Sequence, residues 1–403
     1  MIGLVFGFRG GIARAQTPRA HLAGHAIAAF TRVDPVPGGG PLRELRLVQP
    51  TLMLRVDGPE RLSLSAALNL EGATIRSGEL TPGAWGEGFV DRRHPHTYIH
   101  ELMLTADDLL RDADGDTRVS LSAGKGFAPF GTDDPMSRPV LRYPVNHHLA
   151  QILERAAVVA AVRRGGIIGE IGLFNGDEPE RPGQWPRVGG RFGDSWAARA
   201  TGAPTAGLEL QGSFARVHSP EHRPGAGTDQ NKWSLSARWD GRLRERPVYA
   251  MLEWARTSEA GGFFTFSSLL AEGAWTTARH RLHYRLERTD RPEEQRISHF
   301  RSLRPHLENS ILGITRWTIH TAGYAAPSLE RCGLVVRPLV ELSYGRIAKL
   351  GGGLFDVQQS YGKNSFWSVS LGIQAAFGGG VHRMGRYGAA SDTSSTHQHR
   401  DQR

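Results

Sequence analysis

The sequence predicts an all-β chain, a transmembrane antiparallel β-barrel of about 16 strands with an infolded constriction loop. Three observations predict it. Short stretches alternate apolar and polar residues along most of the chain, almost nothing repeats with a helical period, and the connections come in two lengths.

The alternation is clearest in Phe366 to Phe377. Trp367, Val369, Leu371, Ile373, Ala375 and Phe377 share one face, and Ser368, Ser370, Gly372, Gln374 and Ala376 share the other. Leu62, Leu64, Ala66, Leu68 and Leu70 alternate in the same way with Ser63, Ser65, Ala67 and Asn69. Trp233, Leu235, Ala237 and Trp239 alternate with Ser234, Ser236 and Arg238. Strands are expected near 20–33, 44–57, 60–71, 97–105, 116–126, 156–164, 166–174 and 188–200. The remaining ones fall near 205–217, 231–240, 246–257, 263–275, 278–289, 309–322, 331–345 and 365–377. Short turns lie at 57–60, 163–166, 201–205 and 240–242, and long polar connections at 72–96, 127–155, 175–187, 218–230, 290–308 and 346–364. A chain starting in the periplasm would put most short turns inside and most long loops outside, as outer-membrane barrels do. Trp233, Trp239, Trp317, Tyr344 and Trp367 sit near strand ends, where aromatic girdles are expected.

Composition narrows the class. The chain is 39% hydrophobic and holds no run of 18 apolar residues, which excludes a bundle of membrane helices. The net charge of +9 and pI of about 10.1 point to anionic partners. The basic residues are dispersed rather than clustered, which argues against nucleic acid. Cys332 is the one cysteine, so no intrachain disulfide or thiolate metal cluster can form. Periodicity alone does not separate a lipid-facing apolar side from an inward-facing one, so a soluble basic β-protein is the alternative fold. Strand number and aromatic placement favour lipid.

Three regions are expected. Residues 1–15 read as a signal peptide: Met1 to Phe8 is apolar, and Ala13-Arg14-Ala15 before Gln16 has the A-x-A form. Its brevity, with no positive residue ahead of it, implies a start upstream of Met1. Residues 16–378 form the barrel. Residues 379–403 are polar and are expected to be a disordered tail.

Residues 116–176 carry a resemblance. Phe127-Ala128-Pro129-Phe130-Gly131 follows a strand, then come Leu153-Glu154-Arg155-Ala156 and Gly172-Leu173-Phe174-Asn175-Gly176. This order resembles the phosphate-selective porin O/P family. The resemblance implies a sixteen-stranded outer-membrane porin, a homotrimer, whose partners are outer-membrane lipid and small hydrophilic, anionic solutes. It also implies that the 127–155 loop, the third outer one, folds into the pore. The family's lysine cluster is absent, since only Lys125, Lys232, Lys349 and Lys363 occur, and this puts phosphate specificity in doubt. The family's terminal aromatic is also missing: the last strand ends at Phe377 and the chain runs on.

A barrel of this size leaves an aqueous channel that an inserted segment must narrow. Rings of charge at the narrow point would set selectivity. The candidate constriction residues are Arg138, Arg142, His147, His148 and Arg155 in the loop, with 147–155 able to form a short helix. Those on the wall are Arg55, Arg118, Arg238, Arg281, Arg285 and Arg337, each opposite an apolar face. The alternative for each is solvation of the wall or pairing with Glu209, Glu253, Glu287 or Glu341.

No catalytic set, cofactor or metal site is expected. His94, His96 and His100 lack a completing ligand. Asp112, Asp114 and Asp116 have their glycine misplaced for a calcium loop. A barrel with a plugged lumen, serving as an enzyme or binding scaffold, is the rival function.

Overall fold

The computed structural model describes residues 19–35, 40–70, 97–111, 116–132, 138, 141, 143–177, 183–186, 188, 190–218, 228–277, 279–294, 296–298, 301–302, 311–378 and 383–393. The expected signal peptide, the 72–96 loop, Arg142 and His94 and His96 lie outside them.

Sixteen strands form one antiparallel sheet that closes on itself. They are β1 (Arg19–Asp34), β2 (Leu42–Asp57), β3 (Leu62–Asn69), β4 (Ile99–Arg111), β5 (Thr117–Gly126), β6 (Arg155–Arg164), β7 (Ile167–Phe174) and β8 (Ser195–Thr205). The second half is β9 (Leu208–Val217), β10 (Gln230–Leu243), β11 (Arg246–Glu259), β12 (Phe264–Thr277), β13 (His280–Glu294), β14 (Ile311–Ala325), β15 (Leu334–Gly353) and β16 (Ser365–Phe377). Each pairs with its chain neighbours, and β1 pairs with β16 from Gly24 opposite Phe377 to Asp34 opposite Trp367. A three-residue strand, Leu329–Arg331, folds back onto β15. Among the described residues, helix is limited to α1 (His147–Ala150), α2 (Val357–Tyr361) and short 3-10 turns.

The outer wall is apolar. Leu104, Leu121, Ile171, Leu210, Leu235, Leu252, Leu269, Leu342 and Leu371 are all exposed large hydrophobics, and the alternate residues beside them are buried or half-buried inside. Such a belt is stable against lipid and costly against water, so the barrel is membrane-embedded. In β16, Leu371 and Ile373 face out while Ser368 and Ser370 are buried, as the alternation predicts. Trp196, Trp254, Trp275 and Tyr344 also face out.

Several boundaries differ from expectation. β8 starts at Ser195 rather than 188, because Gly190 and Gly193 hold positive φ in a turn. β15 continues to Gly353, so the expected 346–364 loop shortens to 354–364. β4 runs to Arg111, which leaves only a short connection before β5. Trp317 is no girdle residue. It points inward and is fully buried against Tyr361 and Phe366, with the Arg291 guanidinium 5.7 Å from its ring centre.

Residues 383–391, expected within a disordered tail, are folded inside the barrel. Met384, Tyr387, Ala389 and Ala390 are buried there, and Met384 joins an apolar cluster with Ile27, Val48, Met53, Phe127 and Leu141. Composition suggested disorder because these few apolar residues have no partners nearby in sequence. Their partners are supplied by distant strands.

Candidate functional site

The connection between β5 and β6 turns into the lumen. Its root is built from the three sequence segments singled out above. Phe130, Ile152 and Phe174 pack in one cluster, Pro129 lies over Gly172, and the Asn175 N–H bonds the Ala156 carbonyl at 3.4 Å. Glu154 accepts the Thr97 N–H with both oxygens, at 2.9 and 3.1 Å, and also pairs with His100. Gly131 has φ +71, and its amide donates to Ser213 Oγ at 2.9 Å. Its carbonyl accepts from Arg199 at 3.3 Å and from Gln211.

From this root the loop crosses to the far wall. The Leu141 N–H donates to Glu341 at 2.8 Å and the Val145 N–H to Glu287 at 2.6 Å. Asn146 donates to Glu253 at 2.7 Å and to Ser268 at 3.2 Å. Thr132 donates to Glu253 as well. Three inward carboxylates, one each on β11, β13 and β15, therefore receive, between them, the loop's backbone and side-chain donors. Such charge-assisted bonds are stronger than neutral ones.

The predicted arginines fall into two groups. Arg138 is buried, with Nη2 2.8 Å from Thr132 Oγ1 and 3.4 Å from Glu253, and Nε 3.9 Å from Glu272. Arg285 is 0% exposed and donates to Glu272 at 2.7 Å, with Glu287 3.9 Å away. Arg238 donates to Asp240 at 2.6 Å and lies over the Tyr249 ring, whose hydroxyl donates to Glu272 at 2.6 Å. Arg155 is buried and donates to the Leu153 carbonyl at 2.6 Å, so it ties down the root. The second group, Arg55, Arg118, Arg281 and Arg337, is half-buried near the short-turn end of the barrel. Arg55 pairs there with Asp57 at 2.9 Å. His147 and His148 form the first turn of α1, and their side chains lie outside the described residues. Among the described residues no group of three or more His, Cys, Asp or Glu could hold a metal.

Sequence reasoning missed Arg199 and Glu170, which pair through two bonds of 2.6 Å on the inner wall. The alternation of Trp196, Ala198 and Ala200 with Ala197 and Arg199 would have placed Arg199 inside. It also missed Arg383 and Arg386. Arg383 makes a fork to Glu209 at 2.7 and 2.8 Å. Arg386 donates to Thr201 at 3.0 Å, to Glu209 at 3.1 Å and to Gln211. Burial, with Arg199 and Arg383 close by, draws the Arg386 guanidinium down to about 10, still charged at neutral pH.

No family model matches the chain, and no curated protein matches its sequence. Solved structures do match in fold. An anion-selective porin from Comamonas acidovorans is 12% identical with a TM-score of 0.53, over 90% of this chain and 100% of that one. A loop-deletion form of OmpT, an outer membrane protein of Vibrio cholerae, is 8% identical with a TM-score of 0.51, over 90% of this chain and 100% of that one. The fold is thus that of bacterial outer-membrane porin barrels.

Proposed function

We propose that the chain is an outer-membrane porin, a passive diffusion channel for small hydrophilic solutes with a weak anion preference and no catalysed reaction. The observation that carries this reading is the 127–154 loop, which crosses the lumen of a closed sixteen-stranded barrel and is anchored on its far wall. Nothing in ordinary barrel folding requires a loop to span the lumen, whereas narrowing a channel does.

The anion preference rests on different residues from those the loop supplies. Arg138 and Arg285 lie among carboxylates, which balance their charge. Arg118, Arg281 and Arg337 at the short-turn mouth are the better candidates, together with the net charge of +9. One structural neighbour is named as anion-selective, which agrees with this. A phosphate-type preference, membership of the porin O/P family and a trimeric assembly rest on the resemblance within 116–176.

Planar-bilayer recordings in a KCl gradient test the reading. Discrete conductance steps with a reversal potential on the chloride side are expected, and replacing Arg281 and Arg337 by serine should move that potential toward the potassium side. Absence of conductance would refute the channel. A second reading, a plugged barrel serving as a binding scaffold, is favoured by one observation: mid-height lumen residues such as Glu253, Arg285 and Glu287 are fully buried. Absence of conductance in a correctly inserted barrel is its expected result.

A further inference from the structure

The strand that closes the barrel ends at Phe377, at the short-turn end, yet residues 383–391 lie inside the lumen. Their path can be followed from their partners. Arg383 meets Glu209, the second residue of β9, close to the short-turn end. Arg386 sits one step deeper, on Thr201, Glu209 and Gln211, with Glu170 at 3.5 Å. Tyr387 reaches the loop root, where its hydroxyl accepts the Phe127 N–H at 2.9 Å. The Gly385 carbonyl accepts from Arg199 at 2.7 Å, and Gly385 itself packs on Phe127. The segment then turns back down the wall. The Ala389 N–H donates to Ser120 Oγ at 2.8 Å, and Ala389 and Ala390 pack on Ala161 and Ile168.

We infer that this segment is a tethered plug, held by a guanidinium-binding site on the inner wall formed by Glu170, Thr201, Glu209 and Gln211. The inference rests on the channel reading above. Three features support a built site rather than a tail resting on a surface. Arg386 is buried and has acceptors on three adjacent strands, β7 to β9, which suits the planar fork of arginine and not the point charge of lysine. The fork from Arg383 adds a second, bidentate contact to the same Glu209. Finally, the plug and the loop meet: Met384 shares a cluster with Leu141, Tyr143 and Leu153, so the two inserts cover the lumen together.

The charge count predicts a second effect. With the plug seated, the guanidiniums of Arg199, Arg383 and Arg386 face the carboxylates of Glu170 and Glu209, an excess of one positive charge. Without it, the two guanidiniums of Arg383 and Arg386 are gone while Glu170 and Glu209 remain, so the net charge of this set falls by two, to an excess of one negative charge. Unplugging should therefore widen the channel and also turn its inner wall toward cations.

The test compares the full chain with a chain ending at Gly378, and with a full-length Arg383→Ser/Arg386→Ser variant in case truncation impairs insertion. Single-channel conductance and KCl reversal potential are read in planar bilayers. Both altered proteins are expected to conduct at least about two-fold more than the full chain, as a freed lumen of this size would allow, with the reversal potential moved toward the potassium side. Arg386→Lys should resemble the serine variant more than the wild type, since the fork is lost. Equal conductance and selectivity in all these proteins would overturn the plug and leave the channel standing. No conductance in any of them would overturn both.

Discussion

At the scale of single residues, the lumen is governed by carboxylates that each serve several donors. Glu272 takes Arg285, Tyr249 and, more distantly, Arg138, while Glu253 takes Thr132, Arg138 and Asn146. Removing one partner from such a buried set strands the other. A buried pair stripped of one charge loses about 3–5 kcal/mol. Arg138→Ala is accordingly expected to unseat the loop, lowering the thermal unfolding midpoint in detergent and raising conductance. Arg138→Lys should recover only part of the loss. The same economy explains why arginines could be listed from the alternation but their roles could not. Arg238, Arg281, Arg285 and Arg337 all fall on the inward face as read from the sequence, yet what each faces depends on a strand or loop many residues away. The pairing of Arg138 with Glu253 spans 115 positions, which no local pattern reveals.

At the scale of elements, the strands were legible and the inserts were not. Each barrel strand overlaps a stretch of alternation, because a strand in a barrel wall meets two different media and must alternate. The reading failed where both faces meet protein or turn chemistry intervenes. Trp317 lies in a strand where Ile314 and Ile319 are both apolar with opposite parity, so its facing was ambiguous. In the loop, Gly131 is a position where the element itself can be tested. A Cβ there would lie 1.6 Å from the Ala150 carbonyl oxygen, and φ +71 is a left-handed conformation that disfavours other residues. Gly131→Ala should displace the loop root and speed proteolysis within 127–154 in the folded barrel. Gly183→Ala, which meets nothing within 4 Å, should leave the cleavage rate unchanged.

At the scale of the whole molecule, the barrel is inverted relative to a soluble protein, with its continuous apolar surface outside and its ion pairs within. That inversion makes opposite predictions for neighbouring positions. Leu252 lies midway along β11 on the outer face and is 59% exposed. Leu252→Arg should destabilise the barrel by about 2–4 kcal/mol, the cost of a basic residue at the bilayer midplane. Ser236, on the inward face of β10 opposite Glu253, should accept arginine at far smaller cost. Reversible unfolding from lipid bilayers would measure both. Equal losses at the two positions would contradict the assignment of the outer face to lipid.

The position of residues 383–391 also bears on the order in which the molecule is made. Arg386 needs β7, β8 and β9 in register at once, and Met384 needs a loop that is itself tied to β11, β13 and β15. The segment can thus take its place only after the wall is complete and the loop is down. It is the last piece in, and Arg383 and Arg386 stay open to a trypsin-like protease until then. Protection of those two arginines would be a clock for barrel closure, readable without labelling a single strand.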